Sequence, residues 1–232
     1  MINQSTIETP RIAAQNEPHL ACLLLLDTSG SMSGPAIDSL CKAINTFKQH
    51  AIQDPQTCKR VDIAIMQFDD DVNVVQEFVP ITEMKDNITL STGGCTEMGK
   101  AILAAIDKVK DRNRFYASLG TPCYQPWIFM ITDGGPTDDI TEAANKIAEE
   151  SNKGTHGKLK FWSIGVPGYS KEALRRLSPD GKRMIELDTN TSFQGIFNWL
   201  SESISVISVS RIGDTPALSA LPSDARKIET DW

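Results

Sequence analysis

The sequence predicts an α/β fold with a doubly wound, mostly parallel central sheet, one antiparallel edge strand, and helices on both faces. Three observations predict it. Strand-like and helix-like periods alternate along the chain, the pattern of parallel-sheet proteins. Two apolar runs, Leu20–Leu26 and Trp127–Thr132, each end abruptly in a carboxylate, Asp27 and Asp133. Such runs, bounded by turn signals, read as strands buried on both faces. Finally, Val61–Phe68 and Val72–Val79 are separated by three aspartates, too few residues for a parallel crossover. They predict a hairpin and hence one antiparallel strand at the edge.

The remaining elements follow in order. Residues 1–18 show neither period and read as a flexible leader, residues 19–209 as the domain, and residues 210–232 as a tail. Gly34-Pro35 opens a helix whose inward face is Ile37, Leu40, Cys41, Ile44, Phe47 and Ala51, and Asp54-Pro55 ends it. Asp69-Asp70-Asp71 reads as a solvated hairpin tip, since no calcium-loop spacing accompanies it. A helix begins near Glu97, after the Thr92-Gly93-Gly94-Cys95-Thr96 loop, with Met98, Ala101, Ile102, Ala105, Ile106 and Val109 inward. Residues from about Arg112 to Gln125 carry turn signals. Asp139 to Glu142 has capping-box spacing and opens another helix. A strand over Leu159–Gly165, a short helix over Lys171–Leu177, and a strand over Arg183–Leu187 come next. Phe193, Ile196, Phe197, Leu200, Ile204 and Ile207 stripe a last helix. The tail has no period; its final Trp232 is suited to docking on the domain or on a partner.

Composition narrows the function classes. The chain has 232 residues, 40% hydrophobic and 23% charged, enough for a sizeable core. A net charge of −7 without a basic cluster argues against nucleic acid and anionic membranes as partners. No apolar run approaches the roughly 20 residues that span a bilayer, and the leader lacks a signal peptide's apolar centre. Five scattered cysteines form neither a C-x-x-C pair nor a disulfide framework, which points to a reducing cytoplasm and against thiolate metal sequestration.

The chemistry concentrates at the strand ends. Right-handed crossovers bring the carboxyl ends of parallel strands to one edge, where ligands of open α/β sheets bind. Asp27 and Asp133 therefore face the same edge, and Thr96 lies on a loop that reaches it. With Ser29 and Ser31 they offer five hard oxygens, a donor set for Mg²⁺, with Mn²⁺ or Ca²⁺ as alternatives. Taken singly, each residue fits an ordinary turn or helix cap. Together they specify a metal site.

Asp27-x-Ser29-x-Ser31, Thr96 in Gly-Gly-Cys-Thr and Asp133 in Thr-Asp-Gly resemble, residue by residue, the metal-ion-dependent adhesion site of the von Willebrand factor type A domain. That resemblance implies a Rossmann-like fold and an interaction module whose metal accepts a carboxylate from a partner protein. The run from Tyr124 to Asp138, Phe193-x-x-Ile196-Phe197-x-Trp199-Leu200, and the tail through Leu221-Pro222 resemble the bacterial TerY/YegL tellurite-resistance-associated group. This narrower likeness implies a cytoplasmic stress or tellurium-resistance system, with a protein kinase and a PP2C-type phosphatase as partners. Two departures stand out: Cys95 replaces another small or hydroxylated residue, and Gly135 an acidic one.

The alternative is a Mg²⁺-dependent phosphohydrolase with Asp27 as nucleophile. Such chemistry wants a second carboxylate two residues later as general acid, and that position is Ser29. Gly30-Ser31-Met32-Ser33-Gly34 places Met32 where a serine hydrolase needs its nucleophile, and no phosphate-binding glycine fingerprint is present. No catalytic residue is expected.

Overall fold

The computed structural model describes residues 11–152, 159–178 and 181–228. Among the described residues seven strands form one sheet in the order β3-β2-β1-β4-β5-β6-β7. They are β1 (Leu20–Asp27), β2 (Val61–Phe68), β3 (Val72–Pro80), β4 (Trp127–Thr132), β5 (Lys160–Gly165), β6 (Met184–Leu187) and β7 (Ala225–Lys227). β1, β2, β4, β5 and β6 run parallel, while β3 is the antiparallel edge strand expected from the hairpin. The opposite edge carries a second antiparallel strand, β7, drawn from the tail. The helices are α1 (Pro35–Ala51), α2 (Pro55–Arg60), α3 (Met98–Ser118), α4 (Thr141–Asn152), α5 (Lys171–Leu177) and α6 (Phe193–Val209).

Successive side chains of a strand point to opposite faces, and β1 divides its residues accordingly. Leu20, Cys22, Leu24 and Leu26 pack with α1 and α6, through residues such as Phe47 and Phe197. Ala21, Leu23 and Leu25 pack with α3, α4 and α5, through residues such as Ile102, Ile147 and Leu174. Both faces are thus covered, which is why β1 reads as an unbroken apolar run.

The chain leaves β1 toward β2 and β3, then returns to place β4 on the other side of β1. The crevice between the carboxyl ends of β1 and β4 is therefore the topological switch point of the sheet. Leu26 pairs with Ile131, so Asp27 is level with Thr132 and adjacent to Asp133.

Three stretches differ from the sequence-based expectation. Asp54 ends no helix; it caps α2, accepting from the backbone N–H groups of Gln56 and Thr57. α3 continues two turns past Arg112, because Arg112 and Tyr116 turn inward rather than toward solvent. Of the leader, residues 11–18 hold to the domain: Gln15 accepts from the Thr121 hydroxyl at 2.9 Å, and Glu17 ion-pairs with Arg60 at 2.5 Å. Residues 1–10 lie outside the described residues, as does Trp232. Leu218 and Leu221 of the tail pack on the α1/α6 face. Among the described residues no helix is long and apolar enough to cross a membrane.

Candidate metal centre

Asp27 closes β1 and is fully buried. Its Oδ1 accepts from the Ser29 backbone N–H at 2.9 Å, and its Oδ2 from the Thr132 hydroxyl at 2.5 Å. Beyond it the chain turns through a short 3-10 helix, Gly30–Met32, which presents Ser29 and Ser31 on the same side. Their hydroxyl oxygens are 3.2 Å apart, and Ser31 donates to Asp133 Oδ1 at 2.7 Å. Asp27, Ser29, Ser31 and Asp133 thus form one hydrogen-bonded group across the switch point.

Thr96 arrives from the loop before α3. That loop is fastened from both sides: Gly93 N–H donates to Thr28 O at 2.9 Å, and Gly30 N–H to Gly94 O at 3.3 Å. Thr96 itself donates its backbone N–H to Thr137 Oγ1 and accepts from Thr137 N–H. Gly134 marks the convergence. A methyl group there would stand 3.3 Å from Thr96 Oγ1 and 3.8 Å from Asp27 Oδ2. All five residues named from the sequence meet at this edge.

The supporting residues are ones the sequence did not single out. Thr132 is a buried hydroxyl at the polar end of an apolar strand, a position that requires a partner. Asp70, expected at a solvated tip with Asp69 and Asp71, instead accepts from the Cys95 N–H at 2.7 Å and braces the Thr96 loop. Asp138 accepts from the Gly99 and Lys100 N–H groups at the start of α3. Only its tertiary placement reveals any of these.

Electrostatics define what the cluster can hold. Burial pushes the Asp27 carboxyl upward, against the hydrogen bonds from Ser29 and Thr132, and the charge of Asp133 adds to the rise. Burial likewise raises Asp133, opposed by the Ser31 hydroxyl. Neither carboxylate has an ion-pair partner among the described residues. Buried carboxylates are ordinarily paired or bound to a metal, and a hard-oxygen set of two carboxylates and three hydroxyls fits a divalent cation. Among the described residues no cluster of three or more His, Cys, Asp or Glu side chains could hold a metal ion, so a cation at this edge relies on the hydroxyls as well as the two carboxylates. Cys95 is exposed beside the site, and the hydrogen bond and charge of Asp70 push its thiol upward, away from reactive thiolate.

The chain belongs to the von Willebrand factor type A domain family, whose sequence profile matches residues 23–199. Solved structures agree in fold. A von Willebrand factor type A protein from Catenulispora acidiphila superposes with a TM-score of 0.59 at 14% identity, covering 82% of this chain and 43% of its own. The ArnB paralog VWA2 from Sulfolobus acidocaldarius gives 0.51 at 16% identity, covering 81% and 46%. Proximal thread matrix protein 1 from the mussel byssus, solved with a zinc-occupied MIDAS motif, gives 0.57 at 16%, covering 82% and 48%. The chain spans about half the length of these proteins. No curated protein matches the sequence.

Proposed function

We propose that this domain is a metal-dependent protein-interaction module, with Asp27, Ser29, Ser31, Thr96 and Asp133 holding Mg²⁺. The observation that carries this reading is the pair of buried carboxylates, without cationic partners among the described residues, joined by hydroxyls at the switch point. When bound, the cation supplies a Lewis-acidic position that accepts a carboxylate from a partner protein. The byssus protein, which shares the fold and was solved with a zinc-occupied MIDAS motif, supports the reading that a divalent ion is held here.

Within this reading the protein works in the cytoplasm of a bacterium, in a tellurium-resistance or stress system of the TerY/YegL kind. A protein kinase and a PP2C-type phosphatase are its proposed partners, and an acidic residue of one of them would approach the metal. The sequence likeness from Tyr124 to Asp138 and around Trp199 supports that assignment.

The test combines metal binding with partner capture. Mg²⁺ or Mn²⁺ raises the melting temperature, and Asp27→Ala removes the rise while the domain stays folded. Capture of the acidic partner is lost in EDTA and in the same variant. Capture that survives both refutes the metal bridge. Phosphate release from generic phosphoesters, lost in Asp27→Ala, would favour the phosphohydrolase instead.

A further inference from the structure

One loop lies behind the turn that carries Asp133. Residues 166–170 link β5 to α5. Val166 N–H donates to Thr132 O at 2.9 Å, and Ser170 N–H to Gly134 O at 3.2 Å, so the loop brackets Asp133 from both sides. Between them Gly168 takes a φ of +112°, and a side chain there would meet the Asp133 carbonyl oxygen at 2.6 Å. The backbone of the loop therefore rests on the backbone of the proposed ligand. Both ends of the loop are fixed: Val166 is buried in the core, and the Ser170 hydroxyl caps α5, accepting from Ala173 N–H at 3.2 Å. Pro167 and Gly168 are exposed.

Tyr169 holds the middle. A side chain at Gly165 would stand 2.5 Å from its ring, so a glycine at the end of β5 lets the ring lie on the strand backbone. The ring also packs against the core on the face covered by α3, α4 and α5. Its hydroxyl donates to Glu186 Oε2 at 2.5 Å. Glu186, on β6, pairs in register with Arg226 of the tail strand β7. The Arg226 guanidinium forks, donating to Glu186 Oε1 and to Asp188 Oδ1. The Tyr169 hydroxyl, and then Arg226, hold the Glu186 carboxyl below its ordinary value, which keeps it an ionised acceptor. Direct contacts thus run without a break from the tail strand to the Asp133 turn.

We propose that Tyr169 is a positioning residue for the metal edge: it sets the Asp133 turn from behind, and the tail strand β7 sets Tyr169 through Glu186. The inference rests on the reading that Asp133 holds Mg²⁺. A metal ligand is only as well aimed as the groups behind it. With Glu186 clamped by Arg226, the Tyr169 hydroxyl has a fixed acceptor and the loop keeps Gly168 against Asp133. The Asp133 carboxylate then stays within reach of the Ser31 hydroxyl. Loss of the clamp frees the loop, so the tail tunes metal affinity without touching the metal.

Calorimetric titration of the full chain with Mg²⁺, together with amide exchange of the metal-free protein, tests this. Tyr169→Ala should weaken Mg²⁺ binding about tenfold. Tyr169→Phe, which keeps the ring and loses the hydroxyl, should recover part of that and stay about threefold weaker than the parent. Arg226→Ala should also weaken Mg²⁺ about threefold. Removing a cation would by itself favour Mg²⁺, so a loss reports position rather than charge. In the Tyr169→Phe background Arg226→Ala should add nothing, since both act through one hydroxyl. Unchanged Mg²⁺ affinity in Tyr169→Ala overturns the proposal, and additive effects of Arg226→Ala and Tyr169→Phe overturn the part given to the tail. Should the parent bind no Mg²⁺, the metal reading fails separately, and the Ser170 amide still decides the linkage. Its protection in EDTA should fall about tenfold in Tyr169→Ala, and constant protection overturns the linkage. Should Tyr169→Ala fail to fold, Tyr169→Phe and Arg226→Ala decide.

Discussion

Thr132 holds Asp27 by a 2.5 Å hydrogen bond, and at this scale a single oxygen decides how well a carboxylate is aimed. Thr132→Val keeps the branched shape in the strand and removes only the hydroxyl. Partners that orient metal ligands are commonly worth 10–100-fold in affinity, so Mg²⁺ binding by calorimetry should weaken by about that factor. Unchanged affinity would show that Thr132 does not orient a ligand. Gly94 poses the complementary constraint. Its φ is +63°, and a side chain there would collide with the Asp70 carboxylate that braces the Thr96 loop. Gly94→Ala should cost about 1–3 kcal/mol of stability in denaturant unfolding and weaken Mg²⁺ binding by displacing Thr96. The five oxygens at the sheet edge were legible because polar residues at the ends of apolar strands are conspicuous. Thr132, Asp70 and Thr137 were not, since a hydroxyl or carboxylate near a turn has many local uses and its distant partner leaves no mark on its neighbours.

Among the elements, α2 shows what a short segment lacks in sequence: six residues hold too few turns for a hydrophobic period. Its signal was the cap, Asp54-Pro55, which served equally well as the end of α1. The last turns of α3 were obscured differently, by Arg112 and Tyr116, whose inward placement depends on an acidic partner in another element. β7, three residues long with one buried, has no alternation to read. Asp54 also ties α2 to α6, accepting from Ser205 at 2.8 Å. Burial raises its carboxyl, but hydrogen bonds from Thr57, Ser205 and the cap N–H groups outweigh this and hold it below the ordinary value. A depressed folded-state pKa means the contribution is present above the unfolded-state value, about 4, and is lost as pH falls through the folded one. Asp54→Ala should therefore cost about 1–2 kcal/mol near neutral pH. Melting curves of variant and parent should converge as pH drops below about 4, and a constant gap down to pH 2 would refute the charge-dependent cap.

Over the whole molecule, the sheet separates two polar centres with different purposes. At the carboxyl edge Asp27 and Asp133 lack cationic partners among the described residues; at the amino edge Asp62 has several groups around one oxygen. Its Oδ2 accepts from Tyr116 at 2.5 Å, pairs with Arg112 at 2.9 Å, and lies 3.1 Å from His19 Nδ1, all in full or nearly full burial. His19 Nε2 and Arg112 extend the network to the carbonyls of Ala14 and Arg11, so the segment before β1 is fastened by it. The alternating period made the surrounding strands legible, but this centre was hidden: His19 precedes β1, Asp62 lies in β2, Arg112 and Tyr116 lie in α3, and the three places share no spacing. Its energetics follow from burial. Asp62→Ala leaves the Arg112 guanidinium buried without its counter-charge and should cost about 3–5 kcal/mol. Replacing the pair together, Asp62→Leu with Arg112→Met, removes both charges and should recover a large part of that loss. Mg²⁺ affinity should be the same in the double variant, because Asp62 is paired with Ala21, six residues or ~20 Å from Asp27 along β1. Chemical denaturation and metal titration of the same three proteins separate these effects. A double variant no more stable than Asp62→Ala would mean that Asp62 acts through Tyr116 and His19 rather than by neutralising Arg112, and a changed Mg²⁺ affinity would mean that the two edges of the sheet are coupled.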